Sequence, residues 1–72
     1  GWLMDVFRCL ENIKTETFTL QKMYQFEDRL QILHPENHNI RAKIRQQLQY
    51  LRDKGLIQFI ERGVYRKRCG GT

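Results

Sequence analysis

A chain of 72 residues has room for one small domain, because so short a chain buries too little surface for two cores. Hydrophobic residues make up 40% of it, which excludes a disordered chain, and no run of about 18 apolar residues could span a membrane. The net charge of +5 is concentrated in one half. Residues 37–72 hold nine Lys and Arg against two Asp and Glu, whereas residues 1–36 hold four against six. A basic half on a folded domain indicates a polyanionic partner.

Two helices are predicted in the first half of the chain. Apolar residues at helical spacing predict the first at about 2–14. Its apolar face is formed by Leu3, Val6, Phe7, Leu10 and Ile13. A short extended piece follows at 15–19, and Thr19 is placed to cap a second helix at about 20–32. Pro35 lies just beyond it, as expected after a helix end.

The third predicted helix runs from His38 to Leu51, with Asn37 in position to cap it. Its apolar stripe, spaced by one helical turn at each step, is formed by Ile40, Ile44, Leu48 and Leu51. Gly55 ends the pattern, and the basic residues just before it suit a helix C-terminus.

After Gly55 the pattern changes to that of strands. Residues 56–60 and 64–67 are rich in strand formers, and the turn at 61–63 contains a glycine, which predicts a β-hairpin. The predicted class is therefore α+β: a winged helix with three helices, one very short strand and a C-terminal β-hairpin as the wing. We expect the domain to occupy residues 1–67 and residues 68–72 to form a flexible tail.

The face of the third helix opposite its apolar stripe carries side chains that suit DNA. The N-terminal half of such a helix usually enters the major groove, where Arg can donate two hydrogen bonds to guanine and Asn or Gln can bond base edges. Contacts to bases are predicted for His38, Asn39, Arg41, Ala42, Arg45 and Gln46. Contacts to the DNA backbone, which set affinity and register, are predicted for Thr19, Lys22, Lys43, Gln49, Arg52, Arg62, Tyr65, Arg66 and Lys67. Trp2 is a further aromatic candidate, with packing at the edge of the core as the favoured alternative.

Metal binding and catalysis are not indicated. His34 and His38 are four residues apart, but Pro35 between them argues against one continuous helix. With only Cys9 and Cys69, far apart in the sequence, a zinc site is not expected; we expect both thiols to be reduced, with a disulfide as the alternative. No set of acids, bases and nucleophiles and no glycine-rich phosphate loop is found, so this fragment is not predicted to be an enzyme and no cofactor is expected.

The run from Ile40 to Ile57 resembles the C-terminal domain of DpnI and the Dam-replacing proteins. The segments Gly63-Val64-Tyr65-Arg66, Trp2 to Leu10 and Phe18-Thr19-Leu20 fit the same family. The resemblance covers nearly the whole chain, and a run this long is specific.

That resemblance implies a function. The family comprises methyl-directed type II restriction endonucleases: an N-terminal nuclease domain of the PD-(D/E)XK type cuts DNA with a divalent metal, and the C-terminal winged helix independently recognises GATC with N6-methylated adenines. This chain has no counterpart of the nuclease domain and starts abruptly at Gly1, so we expect a fragment of a longer, bacterial, cytoplasmic, DNA-associated protein. Its expected partner is double-stranded DNA, with fully methylated GATC preferred and no membrane involved. A divalent metal is expected only in the missing nuclease domain.

Ala42 is the first candidate for contact with the methyl groups. Methylation removes an adenine amino hydrogen, so the usual match with Asn or Gln is lost and a small apolar surface is needed instead. Ala42 is the only small apolar residue on the outward face, although alanine is also simply a good helix former. Because the two methyl groups of GATC lie close together, one helix could touch both, and a monomer on DNA is expected.

Two other functions fit the same pattern. A winged-helix transcription regulator that binds unmodified DNA would use the same charge and helix face, although the dimerisation helix often found in such regulators is absent from this sequence. A winged helix that binds another protein would leave its basic half solvated. A steep dependence of DNA binding on salt would exclude this second function.

Overall fold

The structure, a computed structural model, describes residues 1–68, which form four helices and one three-stranded sheet. The elements are α1 (Trp2–Glu11), β1 (Thr17–Thr19), α2 (Leu20–Tyr24), α3 (Glu27–Leu33), α4 (Ile40–Asp53), β2 (Ile57–Glu61) and β3 (Val64–Lys67). This order confirms the α+β winged-helix class, with the β2–β3 hairpin as the wing. Cys69 and most of the predicted tail lie outside the described residues.

The predicted second helix is in fact two helices, so the prediction of three helices is wrong by one. The backbone amides of Gln25 and Phe26 each bond to the carbonyl three residues earlier, which closes α2 with a tight 3₁₀-type turn. α3 then begins with two acidic residues in its first turn, where negative charge favours a helix start. Met23 of α2 and Leu30 of α3 are both fully buried, so each of the two short helices contributes to the core.

The third predicted helix, α4, begins at Ile40 rather than at His38. Its cap is Asn39, whose side-chain oxygen accepts a hydrogen bond from the Ala42 amide at 3.2 Å. Asn37, the predicted cap, instead accepts a hydrogen bond from the Asn39 amide at 2.7 Å. His38 therefore lies in the loop before α4. The first helix is also shorter than predicted and ends at residue 11, not 14.

The sheet places the wing beside the start of α2. Its antiparallel order is β1-β3-β2, and Phe18, Tyr65 and Phe59 are aligned across the three strands. The hairpin turns at Gly63, which has a positive φ of 73°. The Gly63 carbonyl accepts a hydrogen bond from the Leu20 amide at 2.9 Å, so the wing turn is joined to the N-terminus of α2.

One hydrophobic core lies between the helices and the inner face of the sheet. The predicted apolar stripe of α4 is confirmed, since all four of its residues are buried. The core comprises Val6, Cys9, Leu10, Ile13, Phe18, Met23, Leu30, Ile40, Ile44, Leu48, Leu51, Ile57 and Tyr65. Because α4 turns this stripe inward, its opposite face is left at the surface, where a partner can reach it.

Candidate nucleic-acid interface

The loop that leads into α4 is held in place before any partner binds. The Gln31 side-chain amide donates hydrogen bonds to the backbone carbonyls of His34 and Asn37, at 3.2 and 2.9 Å. The bond from the Asn39 amide to the Asn37 side chain adds a third link. The N-terminus of α4 is therefore presented in one orientation, as recognition of base edges requires.

Asn39 and Ala42 meet at the start of the outward face of α4. The Asn39 side chain is exposed, but its oxygen caps the Ala42 amide, so the capping bond orients the group and leaves its NH₂ to donate to a partner. Ala42 is half-buried, while Gln46, one turn further along the same face, and Gln49 are exposed. A small apolar methyl group thus lies between polar side chains.

Arg41 and Arg45 lie one turn apart on α4, and both contact Tyr24 of α2. The Arg41 guanidinium carbon lies 4.7 Å from the centre of the Tyr24 ring. Arg41 Nε also donates a hydrogen bond to Glu27 Oε1 at 3.0 Å. Arg45 Nη1 donates to the Tyr24 hydroxyl oxygen at 2.7 Å. The two predicted base-binding arginines are therefore brought together on one flank of the helix.

Trp2 lies on the other flank of α4 and packs against the edge of the core, as the favoured alternative predicted. Its ring stacks on the His34 imidazole, with centroids 3.8 Å apart and the planes 14° from parallel. The ammonium of Lys43 lies 5.8 Å from the centre of the same ring. His34 is held in turn by a hydrogen bond from its Nε2 to Asp5 Oδ2 at 2.6 Å. The half-buried Lys43 is thus bordered by an aromatic surface, which limits the directions in which its ammonium can point.

The wing carries fewer outward basic groups than the sequence predicted. Tyr65, a predicted contact of the DNA backbone, lies inward: its ring is 7% exposed, stacks on Phe18 and meets the edge of Phe59. Lys67 is half-buried, and its ammonium donates to the Ile13 carbonyl at the base of the hairpin. Arg62, in the turn, and Arg66, on the outer face of the sheet, are exposed. Period-two alternation along β3 explains this, because it sends Tyr65 and Lys67 inward and Arg66 outward.

The remaining predicted backbone contacts fall at two places. Thr19 and Lys22 are exposed beside the wing turn, where the Thr19 hydroxyl accepts a hydrogen bond from the Lys22 amide at 3.1 Å, which confirms the predicted cap of α2. Arg52 lies in the last turn of α4, with its guanidinium carbon 4.6 Å from the centre of the Phe59 ring. Its Nη2 also donates to the neighbouring Asp53 carboxylate at 3.2 Å. The packing on Phe59 of β2 directs Arg52 toward the hairpin.

A known family has this architecture. The family model described as the Dam-replacing HTH domain, where HTH stands for helix-turn-helix, matches residues 1–67. The chain belongs to this family. It is therefore a DNA-binding helix-turn-helix domain, and its partner is double-stranded DNA.

The helix-turn-helix of this Dam-replacing domain consists of α2 and α3, the loop at 34–39, and α4. In such motifs the second helix of the pair lies in the major groove with its N-terminal residues toward the bases. The helix at the corresponding place in this chain is α4, and its first two turns carry Arg41, Ala42, Arg45 and Gln46. The wing turn and the start of α2 are joined by the Leu20–Gly63 backbone bond, and each carries one exposed basic residue, Arg62 and Lys22.

Within residues 1–68, no three His, Cys, Asp or Glu side chains come close enough together to hold a metal ion. In the same part of the chain, no helix is long and apolar enough to cross a membrane. Cys9 is buried in the core as a free cysteine, and burial raises the pKa of its thiol above the usual value. The thiol therefore stays protonated at neutral pH and is a poor nucleophile.

The sequence analysis did not single out Tyr24 and Glu27, which contact the arginines of this surface, or the buried Gln47 of α4. Tyr24 and Glu27 act through contacts with residues 14 to 21 positions away, which no local pattern reveals. Gln47 is 3% exposed, although glutamine is usually a surface residue. The only local signal for the burial of Gln47 is its position beside Ile44 and Leu48 on the apolar side of α4. Burial raises the pKa of the Tyr65 hydroxyl above its usual value, with a smaller increase from Tyr24 and a decrease from Arg45.

Proposed function

We propose that the Dam-replacing domain recognises double-stranded GATC in which the adenines carry N6-methyl groups, through the major groove. The observation that supports this proposal best is the arrangement at the N-terminus of α4. There Ala42 offers an apolar surface between Asn39 and Gln46, and the amide of Ala42 is already bonded to Asn39. No unpaired backbone donor at that position would oppose a methyl group.

Methylation changes what adenine shows in the major groove. Unmodified adenine presents an acceptor, N7, beside a donor, the N6 amino group, and Asn or Gln pairs with both. A methyl group on N6 that keeps the Watson–Crick pair intact projects into the groove in place of the donor hydrogen. A helix that presents Ala42 at this point gains apolar contact from the methylated base, whereas unmethylated DNA leaves the same contact incomplete.

The size of the expected preference follows from the buried area. Each buried methyl contributes about 0.8 kcal/mol, so two methyl groups contribute roughly 1.6 kcal/mol. That is on the order of tenfold in Kd. In the GATC palindrome the two methyl groups belong to neighbouring base pairs on opposite strands, so one α4 helix can reach both and a monomer suffices.

We further propose that this domain acts as the specificity part of a methyl-directed type II restriction endonuclease. The divalent metal and the cleavage chemistry would belong to a separate nuclease domain. This assignment rests on the family, whereas the methyl preference rests also on the geometry around Ala42.

Methyl recognition is tested by binding to three labelled duplexes that differ only in GATC methylation. Fluorescence anisotropy should give about tenfold tighter binding to the fully methylated duplex than to the unmethylated one, with the hemimethylated duplex between them. A duplex with methyladenine outside GATC controls for methyl groups in general. Equal Kd values for the methylated and unmethylated duplexes would contradict the proposal and favour a regulator-like domain that binds unmodified DNA.

Replacing Ala42 with glutamine should reduce the preference for methylated DNA more than the affinity itself. Glutamine removes the apolar surface and supplies a group that pairs with unmodified adenine, so the ratio of the two Kd values should fall from about ten toward one. The matched control is Asp53→Gln in the last turn of α4, where a lost charge changes both Kd values alike and leaves the ratio unchanged. If Ala42→Gln weakens both duplexes equally, Ala42 does not contact the methyl groups.

A further inference from the structure

Tyr24 occupies a place between the two arginines that no local sequence pattern predicts. It is the last residue of α2, is half-buried, and faces the first two turns of α4. The Arg41 guanidinium carbon lies over its ring, 4.7 Å from the ring centre, and its hydroxyl oxygen accepts a hydrogen bond from Arg45 Nη1 at 2.7 Å. One side chain therefore contacts two guanidinium groups: its ring face contacts Arg41, and its hydroxyl contacts Arg45.

Each arginine is held in a way that leaves a pair of donors available. Arg41 uses Nε to bond Glu27, so the end of its guanidinium, with both Nη atoms, stays open. Arg45 uses Nη1, so the side formed by Nε and Nη2 stays open. Two parallel N–H groups are what bidentate recognition of guanine O6 and N7 requires.

We propose that Tyr24 is a positioning residue for DNA recognition. It holds Arg41 through its ring and Arg45 through its hydroxyl, so that each arginine is already oriented to present two donors to guanine. Glu27 fixes the Nε of Arg41. The link to guanine rests on the proposed function, because GATC has a guanine at each end of the site. The holding of the arginines by Tyr24 and Glu27 is independent of which sequence is bound.

The physical benefit is entropic and electrostatic. A free arginine loses considerable rotamer freedom when it is fixed on a base, and a guanidinium that is already oriented loses less. Two guanidinium groups one turn apart also repel each other, and the carboxylate of Glu27 offsets this. The Arg41 and Glu27 side chains are 55% and 38% exposed, so their ion pair adds little to stability but directs the guanidinium.

The first experiment measures the order of the arginine side chains in the free domain, by the ¹⁵N heteronuclear NOE of each Nε–H group. Tyr24→Phe keeps the ring but removes the hydroxyl, so Arg45 should become more mobile while Arg41 is unchanged. Glu27→Ala should mobilise Arg41 and leave Arg45 ordered. This crossed pattern supports the proposal, whereas unchanged NOE values in both variants would overturn it.

The second experiment measures binding of Tyr24→Phe to the duplex that the native domain binds best. Affinity should fall about fivefold, as for the loss of one typical intramolecular hydrogen bond. In a matched duplex with 7-deazaguanine, which lacks the N7 acceptor, the native domain should lose affinity and Tyr24→Phe should lose less. The salt dependence should not change, because no phosphate contact is removed. Tyr50→Phe, the same change at an exposed position of α4, is the control and should bind like the native domain.

Other outcomes of this second experiment count against the proposal. The substitution Tyr24→Phe could lower the affinity for the guanine duplex and for the 7-deazaguanine duplex by the same factor, or could make the salt dependence of binding shallower. Either result would mean that the arginines bind phosphates and that Tyr24 does not orient guanine contacts. A shift in thermal unfolding that matched the loss of affinity would make Tyr24 a merely structural residue. Methyl preference is measured separately on the native domain, so its absence would overturn the proposed function and leave the Tyr24 test intact.

Discussion

Replacing Leu48 with alanine is expected to lower the free energy of unfolding by about 3 kcal/mol. Leu48 is fully buried in the stripe of α4 that faces the core, so the shorter side chain loses apolar burial and leaves a cavity. In a domain of this size each kcal/mol lowers the Tm by roughly 4–8 °C, which makes the change easy to measure by calorimetry or circular dichroism.

The control for this prediction is Ile32→Ala. Ile32 lies on α3 and is 79% exposed, so its truncation should change the free energy of unfolding by less than about 0.5 kcal/mol. If both substitutions lowered the free energy of unfolding by a similar amount, the packing of α4 against the core would not depend on this stripe. The stripe is what turns Arg41, Ala42 and Arg45 outward, so the orientation of the interface depends on the same packing.

The inward and outward faces of α4 were predictable because periodicity is a local signal. Four apolar residues at steps of one turn placed the buried stripe correctly, and the polar face followed from it. The hairpin was predictable for a similar reason, since strand formers flank a turn with Gly63. The order of elements that defines the winged helix came from these signals alone.

Predictions failed where two local signals competed. The apolar spacing from Leu20 to Leu30 fits one helix, yet the chain breaks at Gln25 and Phe26, and Glu27 starts a new helix. Asn37 and Asn39 both suit a cap, and the structure uses Asn39 for the cap and Asn37 to support it.

Contacts between distant residues could not be predicted at all. The stacking of Trp2 on His34 joins residues 32 positions apart, and the Tyr24–Arg45 bond joins residues 21 apart. The inward position of Tyr65 is a different case, because the alternation of side chains along β3 would have predicted it. The many basic residues of the hairpin instead favoured the interpretation that Tyr65 contacts DNA.

The largest expected effect on function comes from replacing Arg41 and Arg45 together with alanine. Each bidentate contact between arginine and guanine contributes about 1–3 kcal/mol, so the double variant should bind at least about thirtyfold more weakly to the preferred duplex. Fold stability should change little, since both side chains are exposed and their partners Tyr24 and Glu27 remain accessible to water. Fluorescence anisotropy over a range of salt concentrations gives both the loss and its salt dependence.

Net charge alone would also weaken binding, and a second double variant separates the two causes. Arg8→Ala with Arg29→Ala removes the same two positive charges from α1 and α3, at exposed positions away from the outward face of α4. That control should bind within about threefold of the native domain, because neither arginine lies on α4 or the wing and salt screens exposed charges beyond a Debye length of about 10 Å. If both double variants lose affinity alike, Arg41 and Arg45 contribute only general charge. If only the α4 variant loses it, and does so without a shallower salt dependence, the two arginines bind bases rather than phosphates.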